Sequence, residues 1–114
     1  MSELIDLCRP LYDEYGFDFA VGAMEHNARS LTLIMGIHYH KDNPTEAARA
    51  DALYRRLCEV TAAAGYPRYR VSAPYQAHAL DDAPEYRAVV EQIRAALDPD
   101  GIIAPGRYGI GGRG

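Results

Sequence analysis

Between Leu97 and Gly112 the chain places an arginine where the backbone must turn repeatedly: Asp98-Pro99-Asp100-Gly101, then Pro105-Gly106, then Arg107-Tyr108-Gly109. Proline fixes one dihedral and glycine accepts a positive φ, so both turns have a mechanism. Glycines on either side of Arg107-Tyr108 let the backbone approach another surface closely. The stretch therefore reads as a structured loop presenting an arginine. That group stays charged and offers several fixed donors, to an anion or to the chain's own carboxylates. Ile102 and Ile103 are expected to dock this loop on the core. Upstream, Arg70 taken alone reads as a solvated strand arginine, and its neighbour Tyr69 as a packing aromatic. His38 and His40, two apart, would share one face of a strand. A metal needs three or four ligands, and only Asp42, His26 or His78 could complete that pair, so no metal site is assigned. Gly109-Ile110-Gly111-Gly112 follows the last predicted helix and so cannot cradle a phosphate at a helix N-terminus. Cys8 and Cys58 belong to no C-x-x-C pair and fall on apolar helix stripes, where free cysteine acts as a small hydrophobe.

The elements that must carry these residues follow from periodicity. Leu4, Leu7, Cys8, Leu11 and Tyr15 have helical spacing, with Pro10 expected to kink or divide the helix before Gly16 ends it. Phe17 to Met24 and Leu31 to His40 alternate in the manner of strands, and the polar stretch Glu25 to Ser30 connects them as a hairpin. Asn43, Pro44 and Glu46 form a helix start signal. Ala50, Leu53, Tyr54, Leu57, Cys58, Thr61 and Ala64 then make one stripe, closed by Gly65. A third strand is expected at Arg68 to Ala73. Asp82, Pro84 and Glu85 start a last helix with the stripe Tyr86, Val89, Val90, Ile93 and Leu97. Tyr12, Tyr15, Tyr54 and Tyr86 are expected to fill the core. This order implies an α+β fold, a small antiparallel sheet with helices packed on one face. The other face, with Ile34 and the small Gly36, needs cover, which hints at a partner.

The 114 residues suit a single domain over 1–114. A net charge of −4, with lysines and arginines scattered, gives no reason to expect nucleic acid or an anionic membrane surface as partner. No apolar run approaches the roughly 20 residues needed to span a bilayer. The early acids Glu3 and Asp6 do not read as an export signal, which makes the cytoplasm the expected compartment.

The string Leu97-Asp98-Pro99-Asp100-Gly101-Ile102-Ile103-Ala104-Pro105-Gly106-Arg107 resembles the C-terminal signature of the vanillyl-alcohol oxidase and 4-cresol dehydrogenase family of FAD-linked oxidases. Ala64-Gly65-Tyr66-Pro67-Arg68-Tyr69-Arg70 resembles the family's helix end followed by a Tyr-Arg pair, and Phe17-Asp18-Phe19 and Leu31 to Ile37 fit more loosely. The resemblance implies a segment of a ferredoxin-like cap domain that helps form the substrate pocket for a phenolic or related aromatic substrate. It also implies that Tyr69, Arg70 and Arg107 bind the substrate's phenol oxygen. Two guanidiniums and a hydroxyl would favour the phenolate, from which benzylic hydride loss is far easier. In a regular strand Tyr69 and Arg70 point to opposite faces, so a common ligand requires the strand to bend or end, which Pro67 and Pro74 permit. FAD is implied by the family, yet the chain lacks a G-x-G-x-x-G turn opening a helix and assigns no flavin-binding residue of its own. Three readings follow. The chain is a cap segment completing a site with a separate flavin-binding chain; or a homodimeric descendant that binds or rearranges a small aromatic or polyketide-like ligand without flavin; or a remnant that folds without activity.

Overall fold

The structure is a computed structural model describing Ser2 to Gly111; the side chains of Ala73 and His78 also lie outside the description. The chain is α+β, and it divides into two compact units, one running to Tyr69 and the other starting at Arg70.

In the first unit, α1 (Ser2–Tyr15) runs unbroken through Pro10. Proline costs the bond its N–H would have donated one turn back, but the flanking residues Cys8 and Tyr12 are fully buried and hold the helix together. The expected kink does not divide the element. Gly16, at φ 69°, ends it. The strands β1 (Ala20–Asn27) and β2 (Ser30–Gly36) pair antiparallel with Asn27 opposite Ser30, a tighter hairpin than expected. Met24 is thus followed by three more strand residues, and only Ala28-Arg29 forms the turn. An irregularity in register at Glu25 to Asn27 leaves His26 as the extra residue, its Nε2 2.8 Å from Thr32 Oγ1.

Helix α2 (Pro44–Ala63) starts as its sequence announces: Asn43 Oδ1 accepts from the N–H groups of Thr45 and Glu46, both at 3.2 Å. Gly65 at φ 81° turns the chain out of the helix. The core joins α1 and α2 to the near end of the hairpin. Tyr12, Phe17, Ala50 and Leu53 are buried, with Leu11, Phe19, Met35, Ile37 and Leu57 packed around them. The Tyr12 ring meets Phe19 edge-on at 5.1 Å. Burial, helped by neighbouring Cys8, pushes the Tyr12 hydroxyl up to about 12, and that hydroxyl has no hydrogen-bond partner among the described residues. The helices thus meet the hairpin at its base, through Met35 on one face and the flanking Phe19 and Ile37, while β1 is exposed from Val21 to Asn27. On the other face Ile34 is 55% exposed, and the space beside Gly36 is taken by the chain's own His38 ring.

The expected third strand does not form. Residues 66–72 are irregular, and a 3-10 helix, η1 (Ala73–His78), follows, so the sheet has two strands among the described residues. Prolines at 67 and 74 deny ladder donors on either side of this stretch, which is consistent with its failure to pair. In the second unit, α3 (Pro84–Leu97) is capped by the Ala83 backbone and not by Asp82, one residue later than its start signal suggested. It buries no residue: Tyr86, Val89, Ile93 and Leu97 are each more than half exposed, so Tyr86 does not fill a core. Among the described residues no helix is long and apolar enough to cross a membrane.

Candidate functional site

The tail motif is built around one carboxylate. At the end of α3, Asp98 accepts from the backbone N–H of Ile102 at 2.8 Å and of Ile103 at 3.0 Å. Its own carbonyl accepts from Gly101 at 3.1 Å, and Gly101 takes the left-handed φ of 66° that the turn requires. Arg94 lies 3.1 Å from the same carboxylate, as an ion pair whose geometry falls short of a hydrogen bond. Burial alone would raise the Asp98 carboxyl; the two N–H donors and then Arg94 outweigh it and hold the group below its ordinary value. Ile102 and Ile103 therefore anchor the loop through their backbones. Their side chains, expected to dock on a core, are 76% and 67% exposed.

Beyond them the chain folds back on η1. A short 3-10 turn, η2 (Arg107–Gly109), begins after Gly106 at φ 80° and carries Tyr108 at φ 54°. Gly109 rests against the Ala77 backbone carbonyl, where an added Cβ would collide, and its own carbonyl accepts from Arg87 Nη2 at 2.6 Å. The ring of bonds closes with Gly106 N–H on the Ile110 carbonyl at 3.0 Å. Arg107 is thus held at both flanks while its own side chain is exposed. Its Nη1 donates to Gln76 Oε1 at 3.4 Å, and Gln76 Nε2 donates to the Val71 carbonyl at 3.4 Å.

This arrangement relates the sequence-assigned residues only in part. Arg70 is exposed, next to buried Val71, so the Arg70 segment and Arg107 are tied to the same glutamine. Neither arginine has an ion-pair partner among the described residues. Tyr69 closes the first unit; it is 69% exposed, its ring 5.8 Å from that of His26. Because residues 68–72 are not a strand, the alternation argument separating Tyr69 from Arg70 does not apply. Gln76 was not singled out from sequence. Its one signal is that a long polar residue stands between Tyr75 and Ala77 in a stretch closed by Pro74, and that signal is weak.

His38, Tyr39 and His40 line an open cleft of about 420 Å³ with Gly16, Phe17, Asp18 and Glu46. There His40 Nδ1 sits 3.1 Å from Glu46, which also accepts from the His40 N–H. His26 is engaged with Thr32, and the His78 side chain lies outside the described residues. Among the described residues no group of three or more His, Cys, Asp and Glu could hold a metal ion. Both cysteines are free; Cys8 is buried, which pushes its thiol up.

Comparison with known proteins assigns the class. The chain is 31% identical over 105 residues to the 4-cresol dehydrogenase [hydroxylating] flavoprotein subunit of Pseudomonas putida, covering 91% of this chain and 20% of that protein. It is 32% identical over 94 residues to 1'-carboxy-chondrochloren decarboxylase of Chondromyces crocatus, covering 82% of this chain and 17% of that protein. The sequence belongs, as a segment, to the vanillyl-alcohol oxidase and 4-cresol dehydrogenase family of FAD-linked oxidases. The chain spans about one fifth of the length of these relatives. No protein-family model matches it, and no solved structure does.

The family is flavin-linked, and a flavin would need its pyrophosphate held. A pyrophosphate is held by free N–H groups at a helix start. In α2 those of Thr45 and Glu46 are taken by Asn43, and both α2 and α3 open on a proline that has none to offer. The left-handed glycines of the tail follow α3 and open no helix; Gly109 faces Ala77 and Gly111 the Arg94 side chain, while Gly101 and Gly106 border open space. The first turn of α3 has no side-chain cap but carries Glu85, whose charge repels a phosphate, so neither α2 nor α3 offers a pyrophosphate cradle.

Proposed function

We propose that this chain supplies the oxyanion-binding part of a substrate pocket in a flavin-linked oxidoreductase acting on a phenolic or related aromatic compound, the flavin being held by a separate flavin-binding chain. Arg107 and Arg70 are the cations of this reading, and Tyr69 its hydroxyl. The observation that carries it is Arg107: a guanidinium presented by a loop clasped on both sides, with no carboxylate among the described residues to neutralise it. An arginine kept for surface solubility needs no such loop. A phenolate oxygen accepting from a guanidinium is held more firmly than the neutral phenol, because opposite charges add a Coulomb attraction that the neutral oxygen lacks.

The test is a spectroscopic titration with 4-nitrophenol, whose phenolate is coloured. Binding should favour the phenolate, so the ligand ionises at lower pH on the protein than in buffer. Arg107→Ala and Arg70→Ala should each weaken phenolate binding by about 1.5–3 kcal/mol, the usual worth of a hydrogen bond to a charged group. Neither should cost more than about 0.5 kcal/mol of stability, as for surface substitutions away from packing. A large drop in melting temperature with unchanged affinity would make the arginines structural.

The second reading, a homodimer handling a small aromatic or polyketide-like ligand without flavin, draws on the uncovered apolar faces of the hairpin and α3. Native mass measurement of the chain alone, then with FAD, separates the two. The first reading expects no tight FAD complex without a flavin-binding chain; the second expects a two-copy mass that FAD leaves unchanged.

A further inference from the structure

Gln76 is the buried polar residue among those described, 7% exposed, and it stands between the two arginine-bearing segments of the second unit. Its amide uses both ends, one donating to the Val71 carbonyl and the other accepting from Arg107. We propose that Gln76 is a positioning residue that aims the Arg107 guanidinium while leaving its positive charge uncompensated, and so makes the site select an anionic phenolate over a neutral ring. The inference rests on the reading of Arg107 as an anion-binding group.

The residue type carries the argument. An arginine is most often aimed by a carboxylate, which binds it firmly and cancels its charge. A neutral amide oxygen accepts the same N–H and leaves the charge for an incoming anion. At 3.4 Å both bonds are long, enough to bias a rotamer and too weak to compete with a ligand. Glutamine alone among side chains of this length is both neutral and able to donate at one end while accepting at the other. Glutamate would face the Val71 carbonyl with a second acceptor and would neutralise Arg107. Methionine, of similar length, would remove both bonds without adding charge. The neighbours enforce the arrangement. Gly109 against Ala77 fixes the loop one residue from Gln76, and Arg87 holds the Gly109 carbonyl.

The experiment compares the full chain with its Gln76→Glu, Gln76→Met and Arg107→Ala variants. Binding of 4-nitrophenol is followed across pH, with 4-nitroanisole as the neutral analogue. Gln76→Glu should lower phenolate affinity about tenfold or more, as Arg107→Ala does, while 4-nitroanisole binding stays within about twofold. Gln76→Met should give a smaller loss, about threefold, since the charge remains and only its aim is lost. A role confined to packing would reduce both ligands together and would not move the ionisation of the bound phenol. If Gln76→Glu fails to fold, Gln76→Met decides: wild-type phenolate preference in that variant overturns the proposal. Wild-type preference in Gln76→Glu with loss in Arg107→Ala also overturns it, while leaving the anion-binding reading intact. No change in Arg107→Ala itself would overturn that reading first.

Discussion

At the scale of single residues, Asp98 organises the tail, and its charge is what does so. The carboxylate accepts two backbone N–H groups that an unstructured chain would give to water, and Arg94 adds its field. Its folded value lies below the ordinary 3.8, so the carboxylate's contribution is fully present above about pH 4. It is lost as pH falls through the lowered folded value. Amide exchange protection at Ile102 and Ile103 should therefore disappear on acidification in that range, before the core of the first unit opens. Asp98→Asn should remove most of this pH dependence, because an amide keeps an acceptor oxygen but has no charge to lose. Retained protection at Ile102 and Ile103 in strong acid would show that the turn holds without its carboxylate.

At the scale of elements, the sequence carried the capped and periodic parts well and the irregular parts poorly. Helix α2 was legible because its signals are local: Asn43 caps, Pro44 starts, Gly65 ends, and the stripe through Leu53 sits at the right spacing. The hairpin was legible as a hairpin but not in its bounds: β1 starts at Ala20 and runs on through Glu25, His26 and Asn27, polar residues that looked like a loop, and β2 stops at Gly36, short of His40. The strand expected at Arg68 to Ala73 rested on residue types alone, and the flanking prolines argue against pairing there. Of the site, Arg107 on a structured loop was readable, because turn residues encode φ directly. Gln76 was not, because its role depends on a partner 31 positions away. The anchoring of Ile102 and Ile103 was misread for the opposite reason: apolar type suggested side-chain docking, while the structure uses their N–H groups. The clasp itself is open to test. Gly109→Ala meets two costs, a left-handed backbone worth about 1–2 kcal/mol to a residue with a Cβ and a collision with the Ala77 carbonyl. Denaturant unfolding should show the second unit destabilised by about 2 kcal/mol or more, with the first unaffected; uniform melting at the wild-type midpoint would show that the tail does not need this contact.

At the scale of the whole molecule, the distribution of apolar surface is uneven. The first unit closes a core between two helices and the base of a hairpin. The second buries Val71 and Gln76 and leaves the stripe of α3, together with Ile102 and Ile103, facing outward. A stripe of this kind on an isolated helix is the pattern of a surface waiting for cover. Ile93 sits at its middle, 53% exposed. Ile93→Lys should change stability by no more than about 0.5 kcal/mol, as surface substitutions do. It should nonetheless shift light scattering toward smaller species, or abolish binding to a flavin-binding chain if that chain is the cover. Unaltered assembly together with lost stability would place Ile93 in a core of the chain's own.

The run of left-handed residues around Arg107 also bears on how the chain meets a protease. Trypsin threads its substrate as an extended strand through several residues on either side of the arginine it cuts after. Arg107 lies between Gly106 at φ 80° and Tyr108 at φ 54°, with the turn tied off at Gly109 and Ile110, so it cannot be drawn straight without undoing the clasp. Arg68 and Arg70, both exposed in a stretch without regular structure, present no such obstacle. Limited digestion should therefore open the chain after Arg68 or Arg70, close to where its two units meet in sequence, and leave the arginine loop joined to α3 in the fragment that follows.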